Sequence, residues 1–469
     1  MKKYGAVAIV GLLLFGGILH AQSKPAKSAP PKMTEDQVLA HAWAIHQQVI
    51  SLDSHVDIGA GARYATPEMD PGQWQANRKC DLVKMRAGGL KGVFLAAFVG
   101  QGRTPDHGLN PAEYKRVYDA AIAELDAVHR LAEKLHPEMC ELATSPADVE
   151  RIAKTGKRVV LTGLENGYPI GDDLANVRKF YDLGVRYITL CHSGHNQLAD
   201  SSTDTTPPLH NGLSPFGKQV VAEMNRLGIM VDVSHIGPKS FWDVIAASKA
   251  PIIASHSGCK AIAKSDRNLD DEQLKALTKN GGVIQVVALA SYLKDEAPER
   301  AAAIAKLREE FPMAGRGGRG GMPPGAMPPG RAGAGQAQQG QRGQAPALTA
   351  EQQAERDRQR AAYQERMKEI DAKYPPQPAT IKDFVDHIDH AVKVAGIDHV
   401  GVGTDFDGGG GVPGFNDHSD AYNVTVELVR RGYSDEAIRK IWGGNLLRAW
   451  RQVELVAKGG KTPTSDRGR

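Results

Sequence analysis

The sequence predicts an α/β protein with a closed (β/α)8 barrel of the TIM type and a helical, partly disordered insertion between its seventh and eighth strands. Two observations lead to this fold class: short apolar runs alternate with amphipathic helical stretches, and there are eight such runs. This alternation implies parallel strands joined by helical crossovers, and eight strands can close into a barrel. An open doubly wound sheet is the alternative. The predicted strands are residues 50–54, 92–99, 158–164, 187–191, 229–234, 251–255, 282–287 and 399–404.

Helical stretches, recognised by apolar positions at helical spacing, precede or follow these strands. The first begins at Thr34, a residue type that caps helices, and Asp36 lies in its first turn, where a negative charge is favourable. These signals predict helices near residues 34–49, 111–135, 145–154, 174–183, 215–227, 238–247, 270–278 and 380–395.

One long segment interrupts the pattern. Residues 314–347 consist mainly of Gly, Pro, Ala, Gln and Arg, and cannot bury enough apolar surface to become ordered. Because polar helical sequence flanks them, we expect a helical hairpin over about 297–373 with a disordered tip. The barrel domain then occupies 34–457, and a disordered tail follows at 458–469.

The N-terminus predicts export. Lys2 and Lys3 precede an apolar run at residues 6–19, which is the order of a secretory signal and too short to span a bilayer comfortably. We expect a signal peptide at 1–21 and a tether at 22–33, with an uncleaved anchor as the alternative. The protein would then be periplasmic or secreted, with no stable membrane span after signal cleavage.

Charge and cysteine content limit the partners and the cross-links. The net charge is only +4 over 469 residues and the basic residues form no sustained stripe, so nucleic acid is not expected as a ligand. Of the four cysteines, Cys80 and Cys140 could form a disulfide in an oxidising compartment. Cys191 and Cys259 lie beside candidate site histidines and are interpreted as small buried thiols, with a zinc thiolate as the alternative.

Side chains of the metal-ligand type occur at the ends of six predicted strands. In order along the chain they are His55, Asp57, Glu165, His192, His235, His256 and Asp405. Active sites of such barrels lie at the carboxyl ends of the strands, so we expect these residues to converge. Six or more ligands exceed the four of one tetrahedral zinc, which favours two metals about 3.5–4 Å apart with Glu165 as the bridge. Zinc suits the mixed nitrogen and oxygen ligands best, with manganese or cobalt as substitutes.

The segments around these residues resemble the membrane dipeptidase (renal dipeptidase) family of zinc peptidases, within the amidohydrolase superfamily. The resemblance spans about residues 50–450 apart from the insertion. The matching segments are DSHVD at 53–57, GLENG at 163–167, YITLCH at 187–192, ADS at 199–201, GLSPFG at 212–217, DVSH at 232–235, SHS at 255–257, DRN at 266–268, DHVGVGTDFDG at 398–408 and GGNLLR at 443–448.

This resemblance implies an exported dipeptidase with two zinc ions, in which a metal-bridging hydroxide attacks the peptide bond of a dipeptide. One zinc would be held by His55, Asp57 and Asp405, and the other by His235 and His256, with Glu165 between them. The resemblance further implies that Asp405 transfers the proton, His192 contacts the substrate near the scissile carbonyl, and Arg267 pairs with the substrate carboxylate. It also implies that a homodimer can form.

Alternatives remain open for both the arginine and the activity. Arg267 could instead make a surface ion pair with Asp266 or Asp270. The same metal site could serve a related amidohydrolase acting on lactones, cyclic amides or other small acyl substrates. A third interpretation is a binding protein in which the barrel is an inert scaffold. Departures from the family pattern at Cys191 and at His195-Asn196 bear on the preferred dipeptide.

Overall fold

The computed structural model describes Met1 and residues 33–59, 61–101, 107–311 and 349–460. Within these residues, nine parallel strands form one sheet, and eight of them follow the path β1-β2-β4-β5-β6-β7-β8-β9. The two ends of the path meet where Asp405 N donates to His55 O and Asp57 N to Phe406 O, both at 3.0 Å. The predicted barrel is therefore confirmed, as a nearly closed one. The strands are β1 Leu52–Asp57, β2 Gly92–Phe98, β3 Cys140–Leu142, β4 Arg158–Glu165, β5 Val185–Thr189, β6 Met230–Asp232, β7 Ile252–Ser257, β8 Val283–Val286 and β9 Val400–Val402.

Helices surround the strands, and several of them begin with residue types that cap helices. Thr34 caps the first one by accepting a hydrogen bond from Gln37 N, while Thr34 N donates one to the Gln37 side-chain oxygen. The helices are α1 Glu35–Gln48, α2 Leu82–Ala87, α3 Pro111–Arg130, α4 Pro146–Ala153, α5 Ala175–Asp182, α6 Pro215–Leu227, α7 Pro238–Ala247, α8 Asp271–Asn280, α9 Ala290–Leu293, α10 Pro298–Glu310, α11 Ala350–Lys373, α12 Ile381–Ala395, α13 Ala421–Arg430, α14 Asp435–Arg439 and α15 Asn445–Ala457. π-Helical turns at Leu131–Leu135 and Lys440–Gly444 continue α3 and join α14 to α15.

Several predicted strand boundaries are wrong by two or three residues. β1 continues to Asp57, because Val56 and Asp57 still pair with β2, so that His55 and Asp57 lie within the strand rather than after it. Likewise Glu165 is the last residue of β4, and His256 lies inside β7. The short β3 was not predicted: its three residues pair with the start of β4, ahead of the point where β5 joins it.

Two β-bulges control which side chains face the barrel interior. Leu52 packs in the interior cluster, and Asp57, five residues later, would face the opposite side of a regular strand. One extra residue between Asp53 and Val56 reverses this alternation. A second bulge, between Ala254 and Ser257 of β7, has the same effect on His256. Both bulges therefore turn ligand-type side chains inward.

The amino-terminal end of the barrel is closed by an apolar plug. Phe94 of β2 and Tyr187 of β5 pack inside with their ring centroids 5.3 Å apart, and Trp450 of α15 lies 6.0 Å from Phe94. All three side chains are almost fully buried. Since this end is filled, the polar side chains collect at the opposite, carboxyl-terminal end of the strands.

The segment between β8 and β9 contains the helices α10 and α11. Their facing apolar side chains form a cluster separate from the barrel core, made of Ile304, Leu307, Tyr363 and Met367. The expected disordered tip at 314–347 lies outside the described residues, as do nearly all of the expected signal peptide and tether. Residues 458–460 complete a hydrogen-bonded turn after α15, and the rest of the expected tail is not among the described residues.

The cysteines are all buried and free, so the disulfide considered between Cys80 and Cys140 is not formed. Among the residues that the structure describes, no helix is long and apolar enough to cross a membrane.

Candidate metal centre

Glu165 lies at the centre of the carboxyl-terminal mouth, and four histidines surround its carboxylate. Its Oε1 is 3.0 Å from His235 Nε2, 3.5 Å from His256 Nε2 and 3.6 Å from His192 Nε2. Its Oε2 is 3.7 Å from His55 Nε2. The two oxygens of one carboxylate therefore face different sets of imidazoles, as a bridging ligand requires.

The described residues contain three groups of side chains that could hold a metal ion, and they share members. Each group has ligand atoms within 4.8 Å of one another. The groups are His55 with Glu165 and His256, Glu165 with His192 and His235, and His55 with Asp57 and Asp405. The structure thus brings together all seven residues predicted from the strand ends, in one continuous site.

The pKa shifts of His235, His256 and Asp405 are consistent with the binding of a metal cation. His235 Nε2 and His256 Nε2 are only 2.8 Å apart, and burial is the main cause that lowers the pKa of both well below the usual value, which keeps them neutral and able to ligate. Burial, with repulsion from Asp57, raises the pKa of Asp405 to about 7. His55 Nε2 is buried without a hydrogen-bond partner. A bound cation would satisfy that nitrogen and relieve the repulsion between the carboxylates.

A layer of buried side chains orients the candidate ligands from behind. Tyr187 Oη lies 2.8 Å from His55 Nδ1, and Ser255 Oγ lies 2.9 Å from His256 Nδ1. Ser255 Oγ also donates to Asp232 Oδ2 at 2.6 Å. Such partners fix the ring orientation and increase the basicity of the ligating nitrogen. Sequence reasoning assigned no role to Tyr187, Asp232 or Ser255, although all three lie in the quoted segments.

Asp53 supports Asp405 in the same way, through hydrogen bonds to the preceding residue. It accepts hydrogen bonds from Thr404 N (2.9 Å) and Thr404 Oγ1 (2.5 Å), and it pairs with the buried His418 at 2.8 Å. Because Thr404 directly precedes Asp405, this network fixes the loop that carries the candidate proton-transfer group.

The backbone leaves the strands in an uncommon conformation at three of these positions. His235 (φ 70°), Asp405 (φ 57°) and Asn166 (φ 75°), which follows Glu165, adopt left-handed geometry. Residues other than glycine seldom do so, and such strain concentrates at functional sites.

Arg267 is buried beside the centre, with 4% of its surface exposed. One guanidinium nitrogen donates to His256 O at 3.2 Å, and its Cζ lies 5.3 Å from the Tyr292 ring centroid. Asp266 pairs with Lys260 instead, at 3.1 Å. The alternative of a surface ion pair at Arg267 therefore does not fit its environment, whereas a buried guanidinium near the metal ligands suits a substrate carboxylate.

His192 is the candidate site residue most open to solvent, with 22% of its side chain exposed. Its ring lies between Phe98 and His235, at centroid distances of 4.6 and 4.1 Å. The neighbouring Cys191 is fully buried, and burial raises the pKa of its thiol. No group of possible metal ligands among the described residues contains a cysteine, so a zinc thiolate is not supported.

Comparison with known proteins agrees with this geometry. The family model of membrane dipeptidases (peptidase family M19) matches residues 39–464. Dipeptidase tcpJ of Claviceps purpurea is 29% identical over 378 residues, covering 80% of this chain and 70% of its own length. The crystal structure of the probable dipeptidase PvdM from Pseudomonas aeruginosa has a TM-score of 0.73 and 32% identity, covering 90% of this chain and 99% of its own.

A more distant structure shares the fold. It is a metallopeptidase from Rhodobacter sphaeroides, liganded with a phosphinate mimic of the dipeptide L-Ala-D-Ala, with a TM-score of 0.62 and 22% identity over 86% of this chain and 99% of its own. Because the family match extends over most of the chain and includes every strand of the barrel, the chain belongs to the membrane dipeptidase family and is a metallo-dipeptidase.

Proposed function

We propose that this protein is an exported binuclear zinc dipeptidase that hydrolyses the peptide bond of small dipeptides. The observation that carries the proposal is the position of Glu165, whose Oε2 lies 3.7 Å from His55 Nε2 while its Oε1 lies 3.0 Å from His235 Nε2 and 3.5 Å from His256 Nε2. In the proposed arrangement one zinc is held by His55, Asp57 and Asp405, and the other by His235 and His256. Glu165 would be a ligand to both ions.

The protein side chains divide the chemistry between them. When bound, the zinc ions would acidify a water molecule and polarise the scissile carbonyl. Asp405 accepts a proton from the attacking water and returns it to the leaving amine; its position beside Asp57 and His55 suits this role. His192 donates a hydrogen bond to the carbonyl oxygen as negative charge develops on it. Arg267 anchors the substrate carboxylate through paired charge-assisted hydrogen bonds.

The decisive experiment combines metal analysis with a substrate panel. We expect the purified full-length chain to contain two zinc ions and to release both amino acids from dipeptides. Chelation should abolish the release, and added zinc should restore it. A fully active protein with one metal per chain would contradict the binuclear site. Hydrolysis of lactones or cyclic amides without any dipeptide hydrolysis would favour the alternative amidohydrolase, and indifference to chelation would favour a binding protein.

The proposed export rests on the sequence of residues 1–21, with its two lysines and the apolar run that follows them. Expression of the full chain in a bacterium, followed by fractionation and N-terminal sequencing, tests it. We expect a mature chain in the periplasm or medium that begins after residue 21. An intact N-terminus in the cytoplasm would contradict export, and an intact one in the membrane would indicate an uncleaved anchor.

A further inference from the structure

β2 contributes none of the ligand-type residues, yet it ends beside the metal centre. Its last residue, Phe98, is the direct neighbour of Glu165 across the β2–β4 pair. Phe98 and Glu165 occupy the same register position on adjacent parallel strands, so both side chains point into the mouth. An apolar ring thus stands next to the candidate bridging carboxylate.

The Phe98 ring packs against the His192 ring. The two ring centroids are 4.6 Å apart at an interplanar angle of 59°. His192 also contacts His235, with centroids 4.1 Å apart at 35°. Contact with two neighbouring rings restricts rotation of the His192 imidazole about its side-chain bonds.

Phe98 is itself held in place by a buried acid. Its backbone N–H donates to Glu124 Oε2 at 2.8 Å, and Glu124 reaches it from α3 with only 7% of its surface exposed. Phe98 is 9% exposed. The end of β2 is thus fixed by a charge-assisted hydrogen bond, and its ring packs within the mouth instead of lying in solvent.

We propose that Phe98 is a positioning residue that holds the His192 imidazole in the orientation needed for hydrolysis. The inference rests on the proposed role of His192 as the donor to the scissile carbonyl. Phe98 has no polar group and takes part only by restricting His192. A misplacement of about 1 Å in an active site can reduce turnover about a hundredfold, so loss of this ring should reduce kcat with little change in KM.

The variants test whether position 98 requires an aromatic ring or whether another apolar side chain is enough. Phe98→Ala and Phe98→Leu should each reduce kcat, with an expected loss on the order of tenfold to a hundredfold for the alanine variant. Phe98→Tyr, which keeps the flat ring, should retain most of the activity. Phe180→Leu is the matched control, since Phe180 is also buried and packs on an aromatic ring, Tyr118, at 5.5 Å but lies on α5 away from the site. Unchanged kcat in both Phe98→Ala and Phe98→Leu would overturn the proposal.

A double-mutant cycle shows whether the effect passes through His192. In a His192→Ala background, Phe98→Leu should cause no further loss of kcat, because the residue it positions is already gone. Full additivity of the two losses would overturn the proposal. Metal content is measured for every variant, and a loss of kcat that follows a loss of metal in Phe98→Leu would equally count against it.

A readout independent of catalysis separates this inference from the proposed function. In protein labelled with ¹³C at histidine Cε1, the His192 signal is assigned by its absence in His192→Gln. Phe98→Leu should shift this signal as the neighbouring aromatic ring is lost, whereas Phe180→Leu should leave it in place. If the wild type hydrolyses no dipeptide but the signal shifts as expected, the proposed function fails and the contact stands. If dipeptides are hydrolysed and the signal does not move, the positioning role fails.

Discussion

Asp405 combines several properties that rarely coincide in one residue. Its backbone is left-handed (φ 57°), its N–H donates to His55 O at 3.0 Å, and its carboxylate shares a ligand group with His55 and Asp57. Burial and the neighbouring Asp57 raise its pKa to about 7. With metal cations bound beside it, Asp405 would be held ionised, so that it could accept a proton from water and pass it to the leaving amine.

Replacing this carboxylate tests its role. Asp405→Asn keeps the shape but removes the proton acceptor, so we expect kcat to fall about 10²–10⁴-fold, the usual share of a general acid–base group. Asp420→Asn is the control: Asp420 Oδ2 accepts from Asn416 N at 2.9 Å, and Asp420 belongs to none of the candidate metal groups. Steady-state kinetics and metal analysis measure kcat and metal content for both variants. An Asp405→Asn enzyme with full turnover and unchanged metal content would show that Asp405 transfers no proton.

Arg267 makes a separate prediction about substrate binding. Arg267→Met should raise KM for free dipeptides about tenfold or more, because a charge-assisted hydrogen bond contributes about 1.5–3 kcal/mol. Carboxy-amidated dipeptides lack the anchored group and should be affected far less. Lys260→Met serves as the control, since Lys260 is partly exposed and pairs with Asp266. Equal losses for free and amidated substrates would remove the anchoring role.

At the scale of elements, the order of strands and helices follows from local residue types, whereas the strand ends and the bulges do not. The alternation of apolar runs and helices predicts the barrel, and the order of ligand-type residues predicts which loops meet. The inward turn of His55 and His256, however, depends on one extra residue in β1 and in β7, each defined only by pairing with the next strand. The hydrogen bond between His55 Nδ1 and Tyr187 Oη is likewise a contact across the barrel, between residues 132 positions apart. No pattern local to the sequence carries such information.

The packing of β4 against β5 gives a prediction at this scale. Gly163 leaves the space that the Tyr187 ring occupies, since a Cβ at Gly163 would lie 2.2 Å from Tyr187 Cζ. Gly163→Ala should therefore displace a fully buried ring, with a cost of about 1–3 kcal/mol in the free energy of unfolding. The displaced hydroxyl would no longer orient His55, so zinc affinity should also fall. Denaturant unfolding and zinc titration measure both effects. Wild-type values for both would contradict this account of Gly163.

On the scale of the whole molecule, apolar packing and the candidate metal ligands occupy opposite ends of the barrel, and Tyr187 connects the two. The apolar plug formed by Phe94, Tyr187 and Trp450 fills one end, and the charged groups gather at the other. The same division explains which parts of the site could be predicted from the sequence. A ligand-type residue at each of several strand ends is sufficient to predict the site. Supporting residues such as Asp232 and Asp53 are buried carboxylates whose partners, Ser255 and Thr404, come from other strands or loops.

Deleting the helical hairpin of α10 and α11 tests whether the insertion contributes to the activity of the barrel. Its apolar cluster is separate from the barrel core, and its two ends lie close together, because Arg300 near the start of α10 donates to Tyr374 O at 2.9 Å, directly after α11. A short glycine-serine linker can therefore replace Pro298–Lys373. We expect this deletion to leave kcat/KM and metal content unchanged, because none of the ligand-type residues lies in the hairpin. Kinetics, metal analysis and thermal unfolding check it. A folded, metal-loaded deletion variant that no longer hydrolyses dipeptides would instead assign part of the substrate site to the hairpin.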